Sequence, residues 1–216
     1  MKSIAQTVPN PIVGEISALH RQVQHLAAVK GSIVLARALV KKMEALSEQL
    51  IADEASLRDR ADAQSWISFS VLALAHISKR KSEKARLLAR GYALQTEAVN
   101  LRLTGPRDRA VAYAAYNLGV GLYTRLNQPL YALYFLMAAR ASLKHVPQKQ
   151  VPLQFRLDLN ASIARCHCRL GDYLKAARLL RSVISKHRPA LNNASQLRSH
   201  AHCQEFLAEI IESRLP

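Results

Sequence analysis

The stretch ARCHCRLGDYLKA, residues 164–176, contains the clearest structural signal in the chain. Gly171 can adopt the left-handed conformation that ends many helices, and Asp172 can cap the helix that follows. The small residues Ala164 and Ala176 would let these two helices approach closely. The stretch therefore predicts a pair of antiparallel helices joined by a tight turn.

Apolar residues recur at helical spacing through the rest of the chain. Residues 65–71 alternate in part between polar and apolar, but they continue into an apolar run without a turn signal, so we interpret them as helix rather than strand. The pattern predicts nine helices, at about 12–30, 32–60, 62–78, 82–104, 107–126, 129–145, 150–170, 172–187 and 194–213.

The first two predicted helices form an N-terminal hairpin, residues 1–60, in which Gly31 would cap the first helix. The second helix carries a heptad-like apolar seam. This seam either packs against the first helix or joins a second copy of the chain in a homodimer. Its members are Leu39, Met43, Leu46, Leu50 and Leu57.

The remaining residues, 61–216, resemble tetratricopeptide repeats (TPRs). In 157–189 the resemblance lies in Ala164, the turn Leu170-Gly171-Asp172-Tyr173, Ala176 and Pro189. A second segment, 112–147, carries Tyr116-Asn117-Leu118-Gly119, Tyr123, Ala132 and Ala139. Ala85, Ala132 and Ala176 are 47 and 44 residues apart, against about 34 in the standard motif, so we expect irregular repeats.

The resemblance implies an all-α fold, a right-handed α-solenoid of antiparallel helix hairpins. Each hairpin would expose an apolar face that its neighbour covers. Residues 194–213 would form a terminal capping helix. The resemblance also implies a concave groove that binds peptides or helices of partner proteins.

Six residues are predicted to line this groove if Gly119 occupies the family's helix-A glycine position. Tyrosines suit peptide recognition, and two arginines four residues apart could bind an acidic side chain, a terminal carboxylate or a phosphate. Alternatively, the tyrosines pack between hairpins and the arginines are merely solvated. The six are Tyr113, Tyr116, Asn117, Tyr123, Arg165 and Arg169.

The charge is strongly basic, with 31 Lys and Arg against 15 Asp and Glu, a net charge of +16. Such a charge could attract nucleic acid, an acidic protein or an anionic membrane surface. No zinc-finger spacing or RNA-binding aromatic signature accompanies it. One cluster is a candidate basic patch, formed by Lys79, Arg80, Lys81, Lys84, Arg86 and Arg90.

Catalytic signatures are missing from the sequence, including a phosphate-binding glycine-rich loop, G-x-S-x-G and H-E-x-x-H. On a helix Cys166 and Cys168 point about 200° apart and cannot readily bind one ion, so we expect buried cysteines and neither metal nor cofactor. No apolar run reaches the roughly 18 residues of a membrane span.

We therefore expect a cytoplasmic, non-catalytic interaction module with a protein or peptide partner, which could be acidic. A regulator, a chaperone and an adaptor all fit this description. The alternative is an RNA- or DNA-binding protein that uses the basic repeat surface.

Overall fold

A computed structural model describes residues 10–187 and 193–214, which form nine α-helices, one short 3-10 turn at Gln148–Gln150 and no strand. Arg188 and Pro189, which the sequence places in the last repeat, lie outside the described residues. The helices are α1 (Pro11–Ala28), α2 (Ile33–Ala52), α3 (Leu57–Ile77), α4 (Lys81–Leu103), α5 (Arg109–Leu126), α6 (Pro129–Leu143), α7 (Leu153–Arg169), α8 (Tyr173–His187) and α9 (Ala194–Arg214).

Three of the connecting turns close in the same way. The second residue after the end of the helix takes a positive φ in each: Lys30 (50°), Glu54 (52°) and Gly171 (82°). The next residue then donates its backbone N–H across the turn, from Gly31 to Leu26 at 2.7 Å, from Ala55 to Leu50 at 3.0 Å and from Asp172 to His167 at 2.8 Å. This is the Schellman motif, which satisfies the free carbonyls at a helix end and reverses the chain within a few residues.

These turns correct two predictions. The first helix is capped by Lys30, not Gly31, and Gly31 instead packs close to Leu26, whose Cδ2 would lie 3.1 Å from an added Cβ. The predicted single helix 32–60 is also wrong. It breaks at Glu54, and Ser56 begins α3 by accepting a hydrogen bond from Asp59 N at 3.1 Å.

Contacts divide the chain into two compact units, residues 1–106 and 107–216. The sequence placed the boundary at residue 60 instead. The structure differs because α3 packs against both α1 and α2, so the N-terminal hairpin shares its core with the next one.

In the first unit the predicted seam of α2 faces this shared core. Met43 and Leu50 are fully buried, and Leu39 and Leu46 pack against the same cluster. Leu57, which belongs to α3, is 49% exposed. The seam of α2 is therefore used within the chain.

The pair α3–α4 is held by small and polar residues. Ser68 Oγ donates to the Gly91 carbonyl at 2.8 Å, and a Cβ on Gly91 would lie 2.6 Å from Leu72 Cδ2. Ala85, proposed from the sequence as the small residue of this repeat, is exposed. The close approach is made at Gly91, six residues further along α4.

In the second unit the two hairpins, α5–α6 and α7–α8, have the small residues where the sequence predicted them. Ala132, Ala164 and Ala176 are fully buried. A Cβ on Gly119 would lie 2.7 Å from Leu136 Cγ and 3.0 Å from the Ala132 carbonyl oxygen. Helix α9 packs against both α7 and α8, the position expected of a capping helix.

Gly119→Ala is expected to lower the free energy of unfolding by about 1–3 kcal/mol, because the methyl group forces α5 and α6 apart. Urea denaturation measures this change. Gly14→Ala is the matched control, because nothing lies within 4 Å of its Cβ position in α1. This control should be neutral or stabilising by up to about 1 kcal/mol. Equal midpoints for wild type and Gly119→Ala would contradict the close approach.

Glu54→Gly is expected to stabilise the protein by about 0.5–1 kcal/mol, because glycine removes the steric penalty of the left-handed conformation at this exposed position. The reciprocal change, Gly171→Ala, has open space around its Cβ and should destabilise the protein through the backbone alone. Thermal denaturation of both variants tests the pair, and shifts of the same sign would refute the common turn mechanism.

Candidate functional site

Two of the predicted groove tyrosines pack between α5 and α7. Tyr113 stacks on Phe155 with ring centroids 4.0 Å apart, and Tyr116 meets the same ring edge-on at 5.0 Å. Burial raises the pKa of the Tyr116 hydroxyl, and a hydrogen bond with Ser162 opposes this shift. Both tyrosines are half-buried, so their main contacts join the two hairpins.

The other tyrosine and both arginines converge on one cleft. The guanidinium of Arg169 lies 6.0 Å from the centre of the Tyr123 ring, and its Nε is 3.5 Å from the Tyr123 hydroxyl. The Arg165 guanidinium lies 5.9 Å from the centre of the Phe206 ring and donates a hydrogen bond to His202 Nε2. We name this space of about 660 Å³ the α7–α9 cleft.

The α7–α9 cleft contains charges of both signs. Arg165 and Arg169 project from α7, while Glu205 and Glu209 of α9 line the same space. The structure shows no ion pair between these arginines and glutamates among the residues it describes. Asn117 is exposed on α5 and does not line the cleft.

The candidate basic patch divides into three parts. Lys79, Arg80 and Arg86 line an open cleft of about 1240 Å³, which we name the basic cleft. Lys81 and Lys84 are exposed on α4 but are not part of its lining. Arg90 forms an ion pair with Glu44 of α2 instead.

Sequence reasoning missed four residues of these clefts, two in each cleft. His202 and Phe206, four residues apart on α9, form one wall of the α7–α9 cleft. The signal was present in the amphipathic pattern of the last helix, but we assigned that helix only a capping role. Lys30 and Arg37, which join the basic cleft, are separated from Lys79 by more than 40 residues in sequence.

One face of α6 is also exposed and apolar. Leu130, Tyr131 and Tyr134 are each more than 60% exposed, and Met137 continues the stripe one turn further. Residues 129–139 contain no charged side chain. Exposed apolar surface of this kind is typical of protein contact sites. The uncharged run is visible in the sequence, where it is too short for a membrane span.

The three cysteines lie in the second unit. Burial raises the pKa of Cys166 to about 12 and that of Cys203 to about 11, which keeps both as neutral thiols. Within the described ranges, 10–187 and 193–214, no group of three or more His, Cys, Asp and Glu side chains could hold a metal ion. Over the same ranges, no helix is both long and apolar enough to cross a lipid bilayer.

The thiols of Cys166 and Cys203 are expected to resist iodoacetamide in the folded protein near neutral pH and to react once urea unfolds it, because the thiolate is the reactive form. The unfolded thiols ionise near their ordinary pKa of 9.0, whereas the folded ones keep their protons at that pH. The free energy of unfolding should therefore fall as pH rises above about 9. Mass spectrometry of the alkylated peptides measures how fast each cysteine is labelled. Native labelling of Cys166 as fast as that of half-buried Cys168 would contradict it.

Comparisons with known proteins show what this architecture resembles. No protein-family model matches the chain, and no curated protein gives a significant match. A crystal structure of a kinesin light chain from Podospora anserina with nearly identical TPR-like repeats superposes with a TM-score of 0.62 at 14% identity, covering 93% of each chain. A point variant of that protein gives a TM-score of 0.63 at 14% identity, covering 93% of this chain and 92% of the other. The paired helices, their turns and this structural similarity show that the chain has an all-α, TPR-like helical-repeat fold.

Proposed function

We propose that this protein is a non-catalytic interaction module that binds a peptide or helical segment of a partner protein in the α7–α9 cleft. The observation that carries the proposal is the convergence of Tyr123, Arg165, Arg169 and Phe206 on one open space. Arginine and tyrosine are the residue types that contribute most energy at protein interfaces.

The two arginines have different roles in this proposal. Arg165 is held by Phe206 and His202, so it shapes the wall of the cleft. Arg169 is exposed, and its contact with the Tyr123 ring leaves its guanidinium open to a ligand. Arg169 would therefore bind a carboxylate of the partner, either an acidic side chain or the chain terminus.

The glutamates narrow the chemistry of the partner. Glu205 and Glu209 stand on α9 in the same cleft, and they would repel a uniformly acidic segment. A segment that places a carboxylate at Arg169 and a basic or hydrogen-bond-donating group toward α9 complements both walls. The partner proposed here therefore carries charges of both signs, whereas the sequence analysis expected a partner that could be acidic.

Two further features favour a protein partner. TPR-like repeats commonly mediate protein–protein interaction, and the apolar face of α6 offers a second contact surface outside the cleft. A regulator, a chaperone or an adaptor could use such a module. Binding of RNA or DNA is the alternative, favoured by the net charge of +16.

Arg169→Ala is expected to weaken capture of the partner, because a hydrogen bond to a charged group contributes roughly 1.5–3 kcal/mol, equivalent to about tenfold or more in affinity. The change should leave the melting temperature unaltered, since Arg169 is exposed. Arg178→Ala is the matched control, an exposed arginine on α8 outside the cleft. Affinity capture from the native cell, with and without nuclease, is the measurement.

Three outcomes are informative. Loss of a protein partner with Arg169→Ala but not Arg178→Ala supports the cleft. Unchanged capture by both variants refutes the cleft, and loss on Tyr134→Lys would then place the partner on α6. Capture abolished by nuclease refutes a protein partner and favours nucleic acid.

A further inference from the structure

The basic cleft of the first unit gathers cations from four separate segments. Lys30 follows α1, Arg37 belongs to α2, Lys79 and Arg80 lie between α3 and α4, and Arg86 projects from α4. Only folding brings these side chains together. The open cleft has a volume of about 1240 Å³, which is enough for a small ligand.

Most of this positive charge has no counter-charge among the residues that the structure describes. Glu83 is the one acidic residue in the lining, and it is engaged by Arg37 and by the Ser78 hydroxyl at 2.9 Å. The other four lining cations, Lys30, Lys79, Arg80 and Arg86, form no ion pair within the described part of the chain. If the Arg37–Glu83 pair is counted as neutral, the four remaining cations give the cleft a net charge of +4.

The start of α4 adds hydrogen-bond donors to the same space. No side chain caps this helix, whose cap residue is Arg80, so its first backbone N–H groups keep their donor capacity. Ser82, in the first turn, also lines the cleft and carries a hydroxyl group. Backbone amides and a hydroxyl beside arginine and lysine match the oxygen-rich surface of a phosphate group.

We propose that the basic cleft binds a compact ligand carrying several phosphate groups. Four unpaired cations and an uncapped helix start surround one recess, so a dense cluster of negative charge complements it better than isolated carboxylates. The aromatic ring in the lining is the imidazole of His76, and no Phe, Tyr or Trp side chain stands among the described lining residues, so the cleft lacks the broad stacking platform that single-stranded nucleic acid uses. This site is independent of the α7–α9 cleft.

Isothermal titration calorimetry tests the proposal, with tripolyphosphate and inositol hexakisphosphate as probes. The double variant Lys79→Ala, Arg86→Ala should bind each probe at least about tenfold more weakly for each cation removed. The matched control is Arg178→Ala, Arg181→Ala, which removes the same charge from exposed positions of α8. Binding to the control should stay within about twofold of wild type, since surface charges outside the cleft are largely screened.

A further variant guards against a folding artefact. If the double variant melts at a lower temperature, the charge-preserving change Lys79→Arg, Arg86→Lys decides instead, and it should retain binding.

A second experiment, with lipid vesicles, separates two sources of phosphate. Sedimentation with phosphatidylcholine vesicles that contain a phosphoinositide points to a lipid headgroup, and binding of the soluble probes alone points to a free polyphosphate. Either result is consistent with the proposal.

Three results would overturn it. The soluble probes could fail to bind wild type, or both double variants could weaken binding equally, which would mean that the whole basic surface is responsible. A single-stranded oligonucleotide could also bind much more tightly than either probe, with the cleft variant unaffected, and this would favour nucleic acid on another surface.

Discussion

The fold depends on how its helices end. At Lys30, Glu54 and Gly171 the backbone turns left-handed for one residue, and a hydrogen bond crosses back over the turn. This closure leaves so little connecting chain that the next helix must run antiparallel to the last. Lys30 and Lys79, far apart in sequence, reach the same surface because α2 runs away from Lys30, the chain reverses at Glu54, and α3 runs back.

Much of this architecture could be predicted from the sequence, because helix periodicity and cap chemistry are local. The prediction succeeded most fully around Gly171, where glycine identifies the left-handed residue. It failed at Glu54, because a glutamate in this conformation has no sequence signature. Lys30, and not Gly31, is the left-handed residue after α1. Gly31 is the next residue along the chain and lies close to Leu26. This contact is with a residue only five positions earlier, so it belongs to the local geometry of the helix end.

Less of the candidate site was predictable. Helical spacing placed Arg165 and Arg169 on one face, but it could not show that Phe206 and His202 would hold one of them. Whether Tyr113 and Tyr116 faced solvent or Phe155 depended on how closely α5 approaches α7, and sequence spacing does not contain this distance. Charge counting identified the cluster around Lys79, yet only the folded chain separates Arg90, paired with Glu44, from the cations that remain unpaired.

The acidic residues have a consequence for how the molecule behaves in a cell extract. Of the 15 carboxylates in the chain, most are occupied in ion pairs, helix caps or interhelical hydrogen bonds. An ion pair uses one cation for each carboxylate, so the net charge of +16 remains, and few free carboxylates stand beside the unpaired cations. A surface of this charge attracts polyanions of the host cell at low salt, and the attraction weakens as the salt concentration rises. Its chromatographic retention, absorbance ratio and apparent mass should all depend on ionic strength, so the bare chain is obtained only after a high-salt wash.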